Sequence, residues 1–75
     1  MSKLPVVSGR EIVRVLTKIG FAVVGRKGSH VRLKRRRADE ALIVIVPMHR
    51  ELARGTLRSI LRQANLTAED LLRLL

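Results

Sequence analysis

Apolar residues recur at helical spacing near both ends of the chain. The first set comprises Ile12, Val13, Leu16 and Ile19, which predicts a helix over residues 9–19. Ser8 and Glu11 have the spacing of a capping box, and Gly20 can end the helix in a left-handed conformation. The helix should therefore bury one side and leave its charged residues in water.

The second helical pattern has a predicted buried stripe of Leu57, Ile60, Leu61 and Ala64. Gly55 and Thr56 should open this helix with Thr56 as N-cap, and Asn65 should take the left-handed position after it. Thr67 then caps a short last helix, where Glu69 and Asp70 suit the N-terminal dipole. The leucines available for packing there are Leu71, Leu72, Leu74 and Leu75.

Between the helices the pattern changes to that of strands. Residues 21–27 predict a first strand and Gly28-Ser29 a turn. The second strand begins at His30, and its outward side chains should be His30, Arg32 and Lys34, because they alternate with Val31 and Leu33. The polar residues 35–40 predict a loop.

Residues 42–46 are apolar at every position, which predicts a third strand covered on both faces or nearly so. Pro47 should end it, and residues 48–53 should form a connecting loop. The predicted order is α-β-β-β-α-α, an α+β fold with a three-stranded antiparallel sheet. A chain of 75 residues should form a single domain, residues 1–75, with its site on the surface.

Charge narrows the choice of partner. The chain has 16 Lys plus Arg against 6 Asp plus Glu, a formal net charge of +10, which favours a polyanion. The alternative is a cationic surface that only aids solubility. Phe21 is the only aromatic residue, so RRM, OB and cold-shock modules, which stack bases on aromatic side chains, are disfavoured. We expect binding to the backbone and shape of a nucleic acid.

Several classes of protein are disfavoured by what the sequence lacks. There is no cysteine and no apolar run of 18 residues, and Pro5, Ser8 and Gly9 interrupt the apolar N-terminal stretch. We therefore expect no disulfide, no membrane segment and no signal peptide, and a cytoplasmic location. His30 and His49 are too far apart to form a local metal motif. We expect no metal or other cofactor.

RNA cleavage needs less from a protein, because the 2′-OH beside each phosphate is already a nucleophile. His30 lies in the acid-free stretch 25–37, and imidazole gives and takes protons near neutral pH. The expected phosphate contacts are the side chains of Arg26, Lys27, Arg32 and Lys34 and the backbone amides of Gly28 and Ser29. Spacing alone leaves His30 and His49 also open to roles as plain phosphate contacts or solvated residues.

A non-catalytic module that binds double-stranded RNA is the main alternative. Two lines of cations at helical spacing, Arg10, Arg14, Lys18 and Arg54, Arg58, Arg62, would follow phosphates in that case, or would be only solvated faces. Sequence-specific DNA binding is disfavoured, since the arginine-lined helix lacks the residue mix that reads base edges.

Four short motifs in order resemble one family. They are Ser-Gly-x-Glu at the first helix, Gly-Ser-His after the first strand, Val-Pro-x-His after the third, and Gly-Thr-Leu-Arg-x-Ile-Leu. From Leu4 to Leu75 the chain resembles the HicA (YcfA-like) mRNA interferase toxins. Two departures are Asn65, where glycine is usual, and a more basic loop RRRADEA.

The resemblance implies a double-stranded-RNA-binding-domain-like fold, with helices packed on one face of the sheet. It also implies cleavage of mRNA that halts translation, and neutralisation by a cognate HicB-type antitoxin. The family's catalytic histidine falls on His30. His49 matches the second histidine motif, for which we expect a role in RNA binding.

Overall fold

A computed structural model describes residues 3–75; residues 1 and 2 of the expected domain lie outside the described part. The helices are α1 (Gly9–Lys18), α2 (Arg54–Ala64) and α3 (Ala68–Leu74), and the strands are β1 (Ala22–Lys27), β2 (His30–Arg37) and β3 (Glu40–Pro47). The order α-β-β-β-α-α confirms the predicted α+β class. β1 begins one residue later, and α1 ends one residue earlier, than the sequence predicts.

The strands form an antiparallel sheet in the order β1-β2-β3. In the first hairpin Lys27 pairs with His30 across Gly28 and Ser29, and Gly28 has a φ of 58°, which glycine adopts without steric cost. In the second hairpin Arg37 pairs with Glu40. The predicted loop over residues 35–40 is therefore wrong. Only Ala38 and Asp39 form the turn, because long cationic side chains can continue a strand when their charged ends reach water.

One face of the sheet carries the core. Val31 and Leu33 of β2 and Val44 and Val46 of β3 are at most 5% exposed. The helices contribute Ile12, Val15, Leu16, Leu57, Ile60, Leu61, Ala64 and Leu71 to the same apolar cluster. Since both α1 and α2 contact β3, they cover the same face, as the resemblance implies.

The other face of the sheet is not covered by any helix of residues 3–75. Ile45, which alternates with Val44 and Val46, is 49% exposed, and Ile43 is half-buried. The prediction that β3 is covered on both faces is therefore wrong. Side chains of neighbouring strands share a face, so Ile43 and Ile45 lie beside the outward cations of β2.

The helix ends follow the predicted caps with one exception. Ser8 forms a capping box with Glu11, Thr67 forms one with Asp70, and Asn65 is left-handed with a φ of 61°, all as predicted. Thr56 is not the N-cap of α2: the helix begins at Arg54, and Ala53 occupies the cap without a side-chain hydrogen bond. The Ala53 carbonyl accepts the first helical bond, from Leu57 N.

The last helix packs less of its apolar surface than predicted. Leu71 is fully buried and Leu74 half-buried, whereas Leu72 and Leu75 are each 49% exposed. These leucines point to different sides of a two-turn helix, and only one side of so short a helix can face the core.

Candidate nucleic-acid interface

The three outward residues of β2 lie on the uncovered face of the sheet. Val31 and Leu33 point into the core, so His30, Arg32 and Lys34 point away from the helices. His30 and Arg32 are exposed and Lys34 is half-buried. The structure therefore confirms the sequence-based orientation of β2, with His30 at the strand end that adjoins the Gly28-Ser29 turn.

His30 has a cation directly beside it on the neighbouring strand. Lys27 of β1 is its partner on one side and Pro47 of β3 on the other. Arg32, two residues further along β2, lies between Gly25 and Ile45. Side chains directly opposite each other in neighbouring strands are close enough to act on one ligand. This end of the face thus gathers the histidine and two of the predicted cations.

A depression of about 570 Å³ covers this end of the face; its lining is Gly25, Arg26, Lys27, His30, Arg32 and Ile45. We call it the His30 depression. Its size lies within the range of ligand-binding clefts. Lys34 shares the face but does not line the depression, and Gly28 and Ser29 lie in the turn beside it.

The turn offers backbone donors next to His30. The Ser29 carbonyl accepts a hydrogen bond from Met48 N at 2.7 Å, which ties the turn to the chain beyond β3. Among residues 3–75, neither Gly28 N nor Ser29 N donates to a carbonyl outside the sheet. Both residues are exposed, and the role of their amides in binding phosphate stays a prediction.

No acidic side chain of the described residues lines the His30 depression. Two of the acids are engaged at helix starts instead. Hydrogen bonds from the Ser8 backbone and side chain lower the pKa of Glu11, and those from Thr67 lower the pKa of Asp70, which also pairs with Arg73. The positive charge around His30 is therefore not offset within the depression.

His49 lies in a second depression on the other side of Arg26. Its lining is Ser8, Arg10, Arg26, Met48, His49 and Arg50; we call it the His49 depression. The two histidines are thus not brought into one pocket. Arg26 lines both depressions because it pairs with inward-facing Val31 at the open edge of the sheet.

The backbone at His49 is held from two sides. Gly9 N donates to the His49 carbonyl and Leu52 N to the Val7 carbonyl, each at 2.9 Å, while Met48 N donates to Ser29. A Cβ on Gly9 would lie 2.1 Å from the Pro47 carbonyl oxygen. Glycine at this position lets the start of α1 approach the end of β3 closely enough for the first bond.

The sequence does not indicate that Ile45, Arg10 and Arg50 line these depressions. The predicted cover on both faces of β3 hides the exposure of Ile45, although the cationic alternation of β2 indicates that the outward face of its neighbour is open. Helical spacing places Arg10 only in a stripe along α1, and no pattern assigns Arg50 to a site. Arg10, Arg26 and Arg50 come from separate elements, so no local spacing predicts their convergence.

Within residues 3–75, no three His, Cys, Asp or Glu side chains are grouped as metal ligands. The same part of the chain contains no helix with the length and apolar character to cross a membrane.

A comparison with models of protein families matches residues 9–66 to the family described as HicA toxin of bacterial toxin-antitoxin. The matched range includes the whole sheet and both histidines. A search of curated protein sequences finds no match.

Proposed function

Because the chain belongs to the HicA family of toxins from bacterial toxin–antitoxin systems, we propose that it is a metal-independent endoribonuclease that cleaves mRNA and blocks translation. His30 is its general acid or base. The observation that carries this proposal is the position of His30, exposed at a strand end in a depression to which the described residues bring cations and no acid.

The proposed reaction uses the RNA's own nucleophile. His30 takes the proton of a 2′-OH, whose oxygen then forms a bond to the adjacent phosphorus. The bond from phosphorus to the 5′ oxygen breaks, and that oxygen takes up a proton. The products carry a 2′,3′-cyclic phosphate on one side of the cut and a 5′-hydroxyl on the other.

The cations around His30 have a separate role in this reaction. Negative charge grows on the phosphate oxygens as the fifth bond forms, and donors already in place stabilise it. In this proposal the donors are Arg26, Lys27 and Arg32, which line the depression, and the Gly28 and Ser29 amides in the adjoining turn. In this proposal Lys34, further along the same face, contacts a neighbouring part of the RNA strand.

We propose that the whole chain acts as one toxin domain in the cytoplasm. Val7 and Leu71 lie outside the matched range and are still part of the core, so the described segments 3–8 and 67–75 include residues that pack with the matched part. We further propose that the partner is a HicB-type antitoxin whose acidic groups cover the His30 depression, since opposite charge directs such an association.

The alternative is a non-catalytic module that binds double-stranded RNA. The exposure of Arg10, Arg14 and Lys18 along α1, and of Arg54, Arg58 and Arg62 along α2, favours it. Both functions predict affinity that falls with salt. Only cleavage separates them.

The test is incubation of wild type and His30→Ala with a long single-stranded RNA in EDTA, followed by analysis of the product ends. We expect cutting by wild type with cyclic phosphate ends, and a loss of roughly 100- to 10,000-fold in His30→Ala. Arg37→Ala is the matched control. It removes a cation at the opposite end of β2, where Arg37 pairs with Glu40, and should cut like wild type.

Each other result has a defined meaning. If both proteins bind RNA and neither cuts it, the binding module replaces the enzyme. If His30→Ala cuts as fast as wild type, the protein is a ribonuclease but His30 is not its acid or base. Because His30 is an exposed residue, its variant should melt near the wild-type temperature; a large drop would mean that the reduced activity reflects a disrupted fold.

A further inference from the structure

The His49 depression gathers positive charge from three separate parts of the fold. Arg10 comes from the first turn of α1, Arg26 from β1, and Arg50 from the segment after β3. The His49 ring adds nitrogen atoms that can donate to an anion. Within the described part of the chain, no acidic side chain lines this depression of about 410 Å³.

Arg10, Arg26 and Arg50 line one depression with no acidic residue among its described lining residues. Arg73 forms an ion pair with Asp70 on α3, away from this cluster. Glu11, the nearest acid along α1, instead accepts a hydrogen bond from Ser8 N at 2.9 Å. Like charges held together cost free energy unless an anion offsets them. The cluster therefore has the charge pattern of an anion-binding site rather than of a structural ion-pair network.

Hydrogen bonds fix the backbone around His49. Met48 N donates to Ser29 before it, His49 O accepts from Gly9 N, and Leu52 N donates to Val7 after it. Two amides at the start of α1 are already engaged, because Gly9 N donates to the His49 carbonyl and Glu11 N to the Ser8 hydroxyl. The arginine side chains are therefore the main donors for an anion here, and guanidinium groups match phosphate with two parallel hydrogen bonds.

Arg26 lines both depressions, so an anion in the His49 depression would lie next to the phosphate bound at His30. We infer that the His49 depression binds a second phosphate of the same RNA strand, next to the phosphate at His30, with Arg10, Arg26 and Arg50 as its ligands. This inference rests on the proposed function. It gives His49 a place in substrate binding and makes Arg26 the bridge between two consecutive phosphates.

The site is tested by the salt dependence of RNA binding. The probe is a single-stranded RNA of about six nucleotides, and the background is His30→Ala, so that the RNA stays intact. For single strands, the plot of log affinity against log salt has a negative slope, which becomes less steep by about 0.7 for each phosphate that the protein no longer neutralises. Arg50→Ala in this background should make the slope less steep by about that amount.

Arg37→Ala is the matched control in the same background. It also removes one exposed arginine, but at the far end of β2, away from the His49 depression, and should leave the slope unchanged. Arg10→Ala repeats the test from another element, and thermal melts check that each variant folds. An unchanged slope in both Arg50→Ala and Arg10→Ala, or an equal change in Arg37→Ala, overturns the site.

Cleavage by wild type is scored separately, so that the two proposals can fail separately. If wild type does not cut RNA but Arg50→Ala makes the slope less steep, the endoribonuclease is wrong and the second phosphate site stands. If wild type cuts and the slope does not change, the site is wrong and the enzyme stands. Loss of antitoxin binding by Arg50→Ala with an unchanged RNA slope would assign the cluster to the protein partner and overturn the inference.

Discussion

Gly9 lies where the start of α1 meets the end of β3, and an added methyl group has no room there. The nearest atoms are the Pro47 carbonyl oxygen at 2.1 Å and Met48 Cα at 2.9 Å from the position of a Cβ. Both belong to backbone that cannot rotate away. The bond from Gly9 N to the His49 carbonyl therefore requires glycine at position 9, although Gly9 takes no part in the proposed reaction.

We expect Gly9→Ala to destabilise the fold by roughly 1–3 kcal/mol, because overpacking must push α1 away from β3. Gly55→Ala is its control, since Gly55 also lies in the first turn of a helix but has open space around its Cβ position. That change should be neutral or stabilising by up to about 1 kcal/mol. Denaturant unfolding measures both; equal effects at the two positions would contradict the close approach at Gly9.

At the scale of single elements, β3 shows what the sequence could and could not predict. The alternation of β2 predicted the exposure of His30, because polar and apolar residues differ at every step. The interior of β3 is apolar at every step, so it carries no such signal, and only pairing with β2 reveals that Ile45 faces water. The start of α2 also differs from the prediction, since the helix begins at Arg54 with Ala53 as its N-cap, between the buried residues Leu52 and Leu57.

The two faces of β3 can be distinguished by one kind of substitution. Val44→Thr places a hydroxyl at a position with 0% exposure and should cost about 1–3 kcal/mol, because the buried hydroxyl lacks partners. Ile45→Thr, one residue further, should cost less than about 1 kcal/mol, since Ile45 is half exposed. Thermal or denaturant unfolding of both variants checks the register, and a larger loss at Ile45 would mean that its face is covered.

The capping box of α1 links stability to pH. Hydrogen bonds from the Ser8 backbone and side chain lower the pKa of Glu11 below its usual 4.5, so the folded state binds this proton less readily than the unfolded state. The stabilisation is complete above about pH 4.5 and is lost as pH falls through the lower folded value. Glu11→Gln keeps an oxygen acceptor but does not titrate.

We therefore expect wild type to melt at a higher temperature than Glu11→Gln at pH 7, and this difference to shrink as the pH falls below about 4.5. Asp70, whose pKa is lowered by Thr67, titrates in both proteins and does not affect the comparison. Parallel curves across this range would mean that the carboxylate contributes nothing to folding.

At the scale of the whole molecule, the two depressions lie on opposite sides of the sheet edge that β1 forms. The His30 depression lies on the uncovered face and the His49 depression on the helix side, with Arg26 between them. Cysteine content, length and charge could predict a small basic domain and a polyanionic partner. They could not predict a pair of depressions on the two sides of β1, because only the folded chain brings residues 10, 26 and 50 to one depression.

The net charge of +10 also determines how the antitoxin should act. A partner that covers the uncovered face must bring negative charge to Arg32 and Lys27 and apolar contact to Ile45, so it should compete with RNA for the His30 depression. We expect the purified antitoxin to displace labelled RNA from His30→Ala, and to slow modification of wild-type His30 by diethylpyrocarbonate.

The rate at which the toxin and antitoxin form a complex should fall with ionic strength, since charge directs the encounter. Ile45→Thr should weaken the complex more than Arg37→Ala does. A stable ternary complex, with RNA still bound and His30 still reactive, would place the antitoxin on another surface and leave the exposure of Ile45 unexplained.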